Sequence, residues 1–332
     1  TTDVHIIDSL TRLTPLAIHY NANVTNQFIR DIPDMLWWQK ILRPFLNLKD
    51  LSILRRTNTF FQSYWVSVLE QNMIRVPQGC PTVEKAMALA MVFSDQKEYT
   101  KKDPLKIVME KGVHEIEGVE VQTGPELHML MRVTCSHITF VGKGKDHTTI
   151  RGGFMVYNQQ NVTFEGLTLT NSTGVGLYFH GGDGYETTVD MLKCVVKECK
   201  YEGMNVGVYG EDMKGATVTA TQCEFTGNGV FTADQMEELY EQGNCGVWCN
   251  NANTKVRFND CLIHHNGNGG LAVDDQAVVD LHGAKTDIHF NNTTHPSPDH
   301  APFQPFGIWA SQNAKVNIHL PSQHNTSHDN VG

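Results

Sequence analysis

Paired acids, histidines and thiols are the side chains of this 332-residue sequence whose spacing could support chemistry. Asp274-Asp275 and His282-Gly283 offer groups for proton transfer, which needs one carboxyl as acid and another as base or nucleophile. Neighbouring residues on a strand point to opposite faces, so Asp274 and Asp275 can share a site only from a turn. The sequence favours an acidic turn closing Leu271-Ala272-Val273. His264-His265 and the trio His319, His324 and His328, spaced by five and four, do not match a ligand set carried on one strand. Gly142-Lys143-Gly144-Lys145 lacks the spacing of a phosphate-binding loop, and no Ser-His-Asp signature occurs. The reading therefore assigns no catalytic residue, no metal ligand and no cofactor.

The eight cysteines are Cys80, Cys135, Cys194, Cys199, Cys223, Cys245, Cys249 and Cys261. Cys194 and Cys199 are five positions apart and Cys245 and Cys249 four, neither being the usual zinc spacing. Reduced, buried thiols packing as small hydrophobes are expected. A formal net charge of −10 argues against a general nucleic-acid binder, which needs basic surface to displace counterions. No apolar run reaches the length of a membrane span, and TTDVHIIDSL does not read as a signal peptide. Sequons such as those at Asn23, Asn161 and Asn171 pull weakly toward secretion, but Asn and Thr also serve turns. The expectation is an intracellular protein, cytoplasmic or nuclear, with neither nucleic-acid nor membrane partners.

The elements that must position these groups repeat. Val162-x-Phe164-x-x-Leu167-x-Leu169 is followed by Gly174-Val175, and Val189-x-Met191-x-x-Cys194-x-Val196 by Gly203-Met204. Val218-x-Ala220-x-x-Cys223-x-Phe225 precedes Gly246-Val247, and Val256-x-Phe258-x-x-Cys261-x-Ile263 precedes Gly270-Leu271. Weaker copies open at Val279-x-Leu281 and Val316-x-Ile318, with Gly307-Ile308 between them. The leading valines lie 27, 29, 38, 23 and 37 residues apart, the long intervals holding insertions at 231–245 and 291–305. Period-two alternation specifies strands, and the repeat specifies a mainly β solenoid whose coils stack about 4.8 Å apart. Stacking then places Cys194, Cys223 and Cys261 in one internal row. Asn228 and Asn266 share a turn position, where left-handed backbone and side-chain hydrogen bonds suit Asn.

The chain divides into an extension (1–30), a helical region (31–75), a junction (76–130) and the solenoid (131–332). In the second part, Asp31 can cap a helix through Pro33, Met35, Leu36, Trp37, Trp38, Ile41 and Leu42. Leu48–Leu54 and Asn58–Leu69 follow as further helical stretches. In the junction, Thr82 can cap a helix through about Phe93, with Glu84 near its positive end, and Leu105–Met109 reads as a strand. Such a helix would cover the open end of the solenoid.

Two families share these patterns. Stretches such as ITFVGKGKDHTTIRGG and VTFEGLTLTNSTGVGL resemble the right-handed parallel β-helix of pectin-lyase-like proteins over roughly 76–332. That fold hosts lyases, hydrolases, epimerases and non-enzymes, so the resemblance implies architecture and not activity. The hydrolases' Asn-Thr-Asp and Arg-Ile-Lys motifs and the lyases' acidic calcium cluster have no counterpart here. Ile32-Pro33, Ile41-Leu42, Leu46, Asp50-Leu51, Leu54 and Trp65 resemble an F-box, with Arg55-Arg56-Thr57-Asn58 replacing its Val-Cys-Lys/Arg stretch. This resemblance implies docking on a Skp1-like adaptor through Pro33, Leu36, Ile41, Leu42, Leu46, Leu51 and Trp65, with the β-helix recognising a substrate protein or glycan. The alternatives are a helical cap on a carbohydrate-binding or carbohydrate-active β-helix, and a structural rod of a larger assembly.

Overall fold

Strands whose alternate residues are apolar have one face to bury, and this chain buries it by winding. A computed structural model describes residues 72–330, excepting 79, 95–96, 124–125, 183–184, 208–213, 231–244, 292–305, 322–323 and 325. The F-box-like segment, with Pro33, Leu36, Ile41, Leu42, Leu46, Leu51 and Trp65, lies outside the described residues, as do nearly all of both insertions. The described chain is a right-handed parallel β-helix of three sheets, one of nine strands and two of eight. All pairings are parallel except that of Val119–Thr123 with Glu126–Val133.

The first sheet runs from Met73–Val76 and Leu105–Met109 to Lys315–His319, so it takes in two strands that precede the sequence repeat. Its register stacks Ile138, Val162, Val189, Val218, Val256, Val279 and Val316 in one inward row. Phe140, Phe164, Met191, Ala220, Phe258 and Leu281 form the next row and are almost wholly buried. The weak copies at Val279 and Val316 are thus in register with the strong ones. At the N-terminal end, the helix Val83–Ser94 turns Val83, Ala86, Met87, Ala90 and Phe93 into the same core. Thr82 Oγ1 caps it by accepting from the Lys85 amide at 3.3 Å. Glu84, rather than serving only the helix end, accepts from the Glu117 amide at 2.8 Å and ties the helix to the first coil.

Two kinds of turn make the corners. Between the first and second sheets Gly166, Lys193, Gln222 and Asp260 all take left-handed backbone, with φ of 53–61°. Each is followed by an inward residue: Leu167, Cys194, Cys223 or Cys261. The cysteine row is therefore real, with the Cys223 amide 3.4 Å from Cys261 Sγ. All eight cysteines are buried.

After the second sheet, Asn171, Glu198, Gly227, His265, Phe290 and Asp329 are left-handed. The residues that follow them point inward, and from Asn228 onward they form a ladder. Asn228 Nδ2 donates to Asn266 Oδ1 at 3.0 Å, and Asn266 Nδ2 to Asn291 Oδ1 at 2.9 Å. Asn291 Nδ2 continues to Asn330 Oδ1 at 2.9 Å. Asn228 and Asn266 keep ordinary backbone, contrary to the sequence expectation; the residue before each makes the bend, while the amide side chain spans the coils. The ladder also explains the repeated glycines. A Cβ on Gly203, Gly246, Gly270 or Gly307 would lie 2.4–2.7 Å from the Nδ2 of a ladder Asn. The glycine of the first copy is Gly176, since Leu177 pairs with Met204, so the Gly174-Val175 alignment was two residues out of register.

Candidate functional site

The outward residues of the first corner and the second sheet collect the polar chemistry. Because Lys193, Gln222 and Asp260 are the left-handed residues of successive coils, their side chains project on one side of the corner. With Lys145, Asp146, Glu224, Leu262 and Lys285 they line a groove of about 510 Å³. From Lys145 to Lys285 the groove crosses five coil steps, roughly 24 Å at about 4.8 Å per step.

Glu224 is the electrostatic centre of this groove. His264 Nε2 lies 3.2 Å from Glu224 Oε1, and Lys145 Nζ lies 3.2 Å from Oε2. The His264 hydrogen bond, joined by Lys145, outweighs burial and brings the carboxyl down to about 2. At neutral pH Glu224 is an anion that accepts protons weakly and has none to donate. Asp260 Oδ1 accepts from the Lys285 amide at 3.2 Å, bracing the corner. Among the described residues, the ammonium groups of Lys193 and Lys285 enter no ion pair.

Above Glu224 the outward row of the second sheet becomes a column of imidazoles. Thr226, His264 and His289 are register neighbours, and His328 continues the row. The His264 and His289 rings stack at 5.1 Å, and those of His289 and His328 at 5.3 Å. Asp287, two residues before His289, lies 3.1 Å from His289 Nδ1 and 3.2 Å from His328 Nε2. Burial lowers the pKa of His289, whereas a hydrogen bond to Asp329 raises that of His328. A second triplet, Asp280, His282 and His319, sits on the outer face of the first sheet. Both triplets have the donor chemistry of a divalent metal site. Spacing along one strand does not reveal them, because the partner of each Asp-x-His comes from the next coil.

Asp274 and Asp275 lie in a turn, as the alternation argument required. Asp274 Oδ1 accepts from the Asp275 amide at 2.8 Å and from Ser311 Oγ at 2.5 Å. This carboxylate therefore closes the turn and braces the next coil. His282 ends a strand, and Gly283 follows at φ 86°. Of Gly142–Lys145, Gly144 and Lys145 belong to the groove. Glu224 and His264 were findable: each lies at a fixed offset after a row cysteine, and aligning the repeats puts both on the outer second face.

A family model described as a right handed beta helix region matches residues 108–237. No curated protein matches. Among solved structures, the chain is similar to pectate lyase Pel9A, with 13% identity and a TM-score of 0.48 over 65% of this chain and 54% of that one. It thus spans about half the length of that lyase. Carrot pectin methylesterase aligns at 11% identity and TM-score 0.34, covering 76% of this chain and 88% of its own. The Azotobacter vinelandii mannuronan C-5 epimerase AlgE6 A-module aligns at 13% and 0.28, covering 74% and 88%. These likenesses concern the fold alone.

Proposed function

We propose that this chain is a non-catalytic recognition protein whose groove holds an extended segment of a partner protein. The observation behind the reading is the charge arrangement around Glu224. Its carboxylate is already paired with Lys145 and hydrogen-bonded to His264, which suits it to holding the wall of a groove rather than passing protons. Lys193 and Lys285 on one hand, and Asp146 and Asp260 on the other, offer alternating charges along the coils. An extended peptide carries side chains and amides that meet such an array. Among the described residues, those lining the groove include no aromatic on which a sugar ring would stack.

In its fuller form the proposal makes the chain an adaptor. Residues 31–75 dock on a Skp1-like protein through Pro33, Leu36, Ile41, Leu42, Leu46, Leu51 and Trp65, and the solenoid presents the captured substrate. The sequence resemblance alone supports this part.

A pull-down from native extract, with mass spectrometry, tests both parts. Wild type is expected to recover a Skp1-like adaptor together with substrate proteins. Lys193→Glu/Lys285→Glu should lose the substrates and keep the adaptor, while Leu36→Asp/Trp65→Asp should do the reverse. Recovery of the same partners by all three proteins overturns the reading. So does cleavage of a polyuronide chain by the wild type that Glu224→Gln abolishes.

A further inference from the structure

The geometry points to a divalent transition-metal site, suited first to Zn²⁺, formed by Asp287, His289 and His328, which staples the last two strands of the second sheet. Asp287 and His289 flank the fully buried Ile288, so period-two alternation turns both outward on one face. His328 reaches the same spot from the neighbouring strand, where it is the register partner of His289. The three ligand atoms all lie within 4.8 Å of one another. The carboxylate-to-imidazole separations of 3.1 and 3.2 Å suit a tetrahedral ion. Bonds of about 2.0–2.1 Å set ligand atoms roughly 3.4 Å apart.

Unmet valence at the site favours a cation. His289 Nδ1 and Asp287 Oδ1 are buried atoms without a hydrogen-bond partner among the described residues. His328 Nδ1 lies 2.8 Å from Asp329 Oδ2, an arrangement in which the imidazole donates Nδ1–H to the carboxylate. His328 Nε2 is left facing the Asp287 carboxylate, 3.3 Å from Oδ2, where a bound ion would replace the proton the two groups otherwise share. Carboxylate, imidazole and metal in series is the usual way a protein orients a ligating histidine. Asp329 can do so because it is the left-handed corner residue immediately after His328.

The Asp280, His282 and His319 triplet is less well prepared. Asp280 Oδ1 already accepts from Asn317 Nδ2 at 3.0 Å and lies 3.3 Å from His319 Nε2. Among the described residues no second carboxylate, beyond Asp280 itself, contacts His319, and half of that side chain is exposed. The chosen site contributes three protein ligands and leaves a fourth position toward solvent, where the side chains are 18–31% exposed. A bound ion would join strands separated by 39 residues of chain, from His289 to His328.

Titration of the chelator-stripped full chain with Co²⁺ and with Zn²⁺ tests the inference. The visible ligand-field spectrum of Co²⁺ should show one four-coordinate ion per chain, displaced by Zn²⁺. Zinc at about a hundredfold over its dissociation constant should raise the unfolding midpoint by roughly 5 °C. His289→Ala and His328→Ala should abolish the spectrum and the thermal shift, with far-UV circular dichroism confirming the fold. Asp329→Asn retains all three ligands and should weaken binding by about tenfold or more. His319→Ala should leave binding unchanged. The inference fails if no ion binds at micromolar Zn²⁺, if binding survives His289→Ala and His328→Ala, or if His319→Ala removes it.

Discussion

The two sides of the same strands obey different rules. Inside, Phe164, Met191, Ala220 and Phe258 succeed one another in a single row, and any apolar residue of suitable volume serves. Outside, Thr226, His264, His289 and His328 occupy a row of the same construction, and there each side chain changes the chemistry. One register builds both, because a coil step brings residues 19 or more positions apart into contact. The solenoid thus separates stability from chemistry by facing direction.

Breaking the interior should cost most. Truncating Phe258, which is fully buried between Ala220 and Leu281, to Ala is expected to cost about 4 kcal/mol in urea unfolding. Asn266→Ala should cost about 3 kcal/mol, since it strands the Phe225 carbonyl and the amide of Asn228 as well as its two ladder neighbours. A loss under 1 kcal/mol would show that the ladder decorates the corner instead of holding it. Gly246→Ala should cost roughly 2 kcal/mol through its clash with Asn266 Nδ2, and the penalty should shrink in the Asn266→Ala background. Additive losses would break the link drawn between the glycines and the ladder.

These interior features were the legible part of the sequence. Val-x-apolar alternation, the recurring cysteine and the recurring glycine each report a position with one neighbour type, repeated coil after coil. The two-residue slip at Gly174 arose because Gly174 and Gly176 look alike until Cys199 Sγ is seen 2.7 Å from where a Gly176 Cβ would lie. The outer face was harder to read. Lys145 and Glu224 are 79 residues apart, and nothing local to either announces the other. The metal triplet was hidden for the same reason: Asp287-Ile288-His289 is an ordinary strand until His328 is laid beside it.

Smaller effects sharpen the contrast. The outer pair should respond to acid. Because Glu224 is held at about 2, below the ordinary carboxylate value, its contribution to stability is complete above about pH 4.5 and disappears as pH falls toward 2. Glu224→Gln should remove that part of the acid dependence, about 1 kcal/mol at neutral pH for a partly solvated pair. A Gln variant with the wild-type acid profile would deny Glu224 this role. Inside, burial raises the Cys199 thiol to about 12, and hydrogen bonds with neighbouring thiols, together with burial, raise Cys223 and Cys261. These thiols should stay unreactive toward a maleimide at pH 8 until the chain unfolds, with loss of the far-UV signal and labelling coinciding.

Lysine acylation footprinting, with and without a captured partner, addresses the division of labour most directly. Partner binding should protect Lys145, Lys193 and Lys285, leaving Lys255 and Lys315 on the first sheet as reactive as before. Protection of Lys255 and Lys315 with an unchanged groove would contradict the assignment of recognition to the first corner.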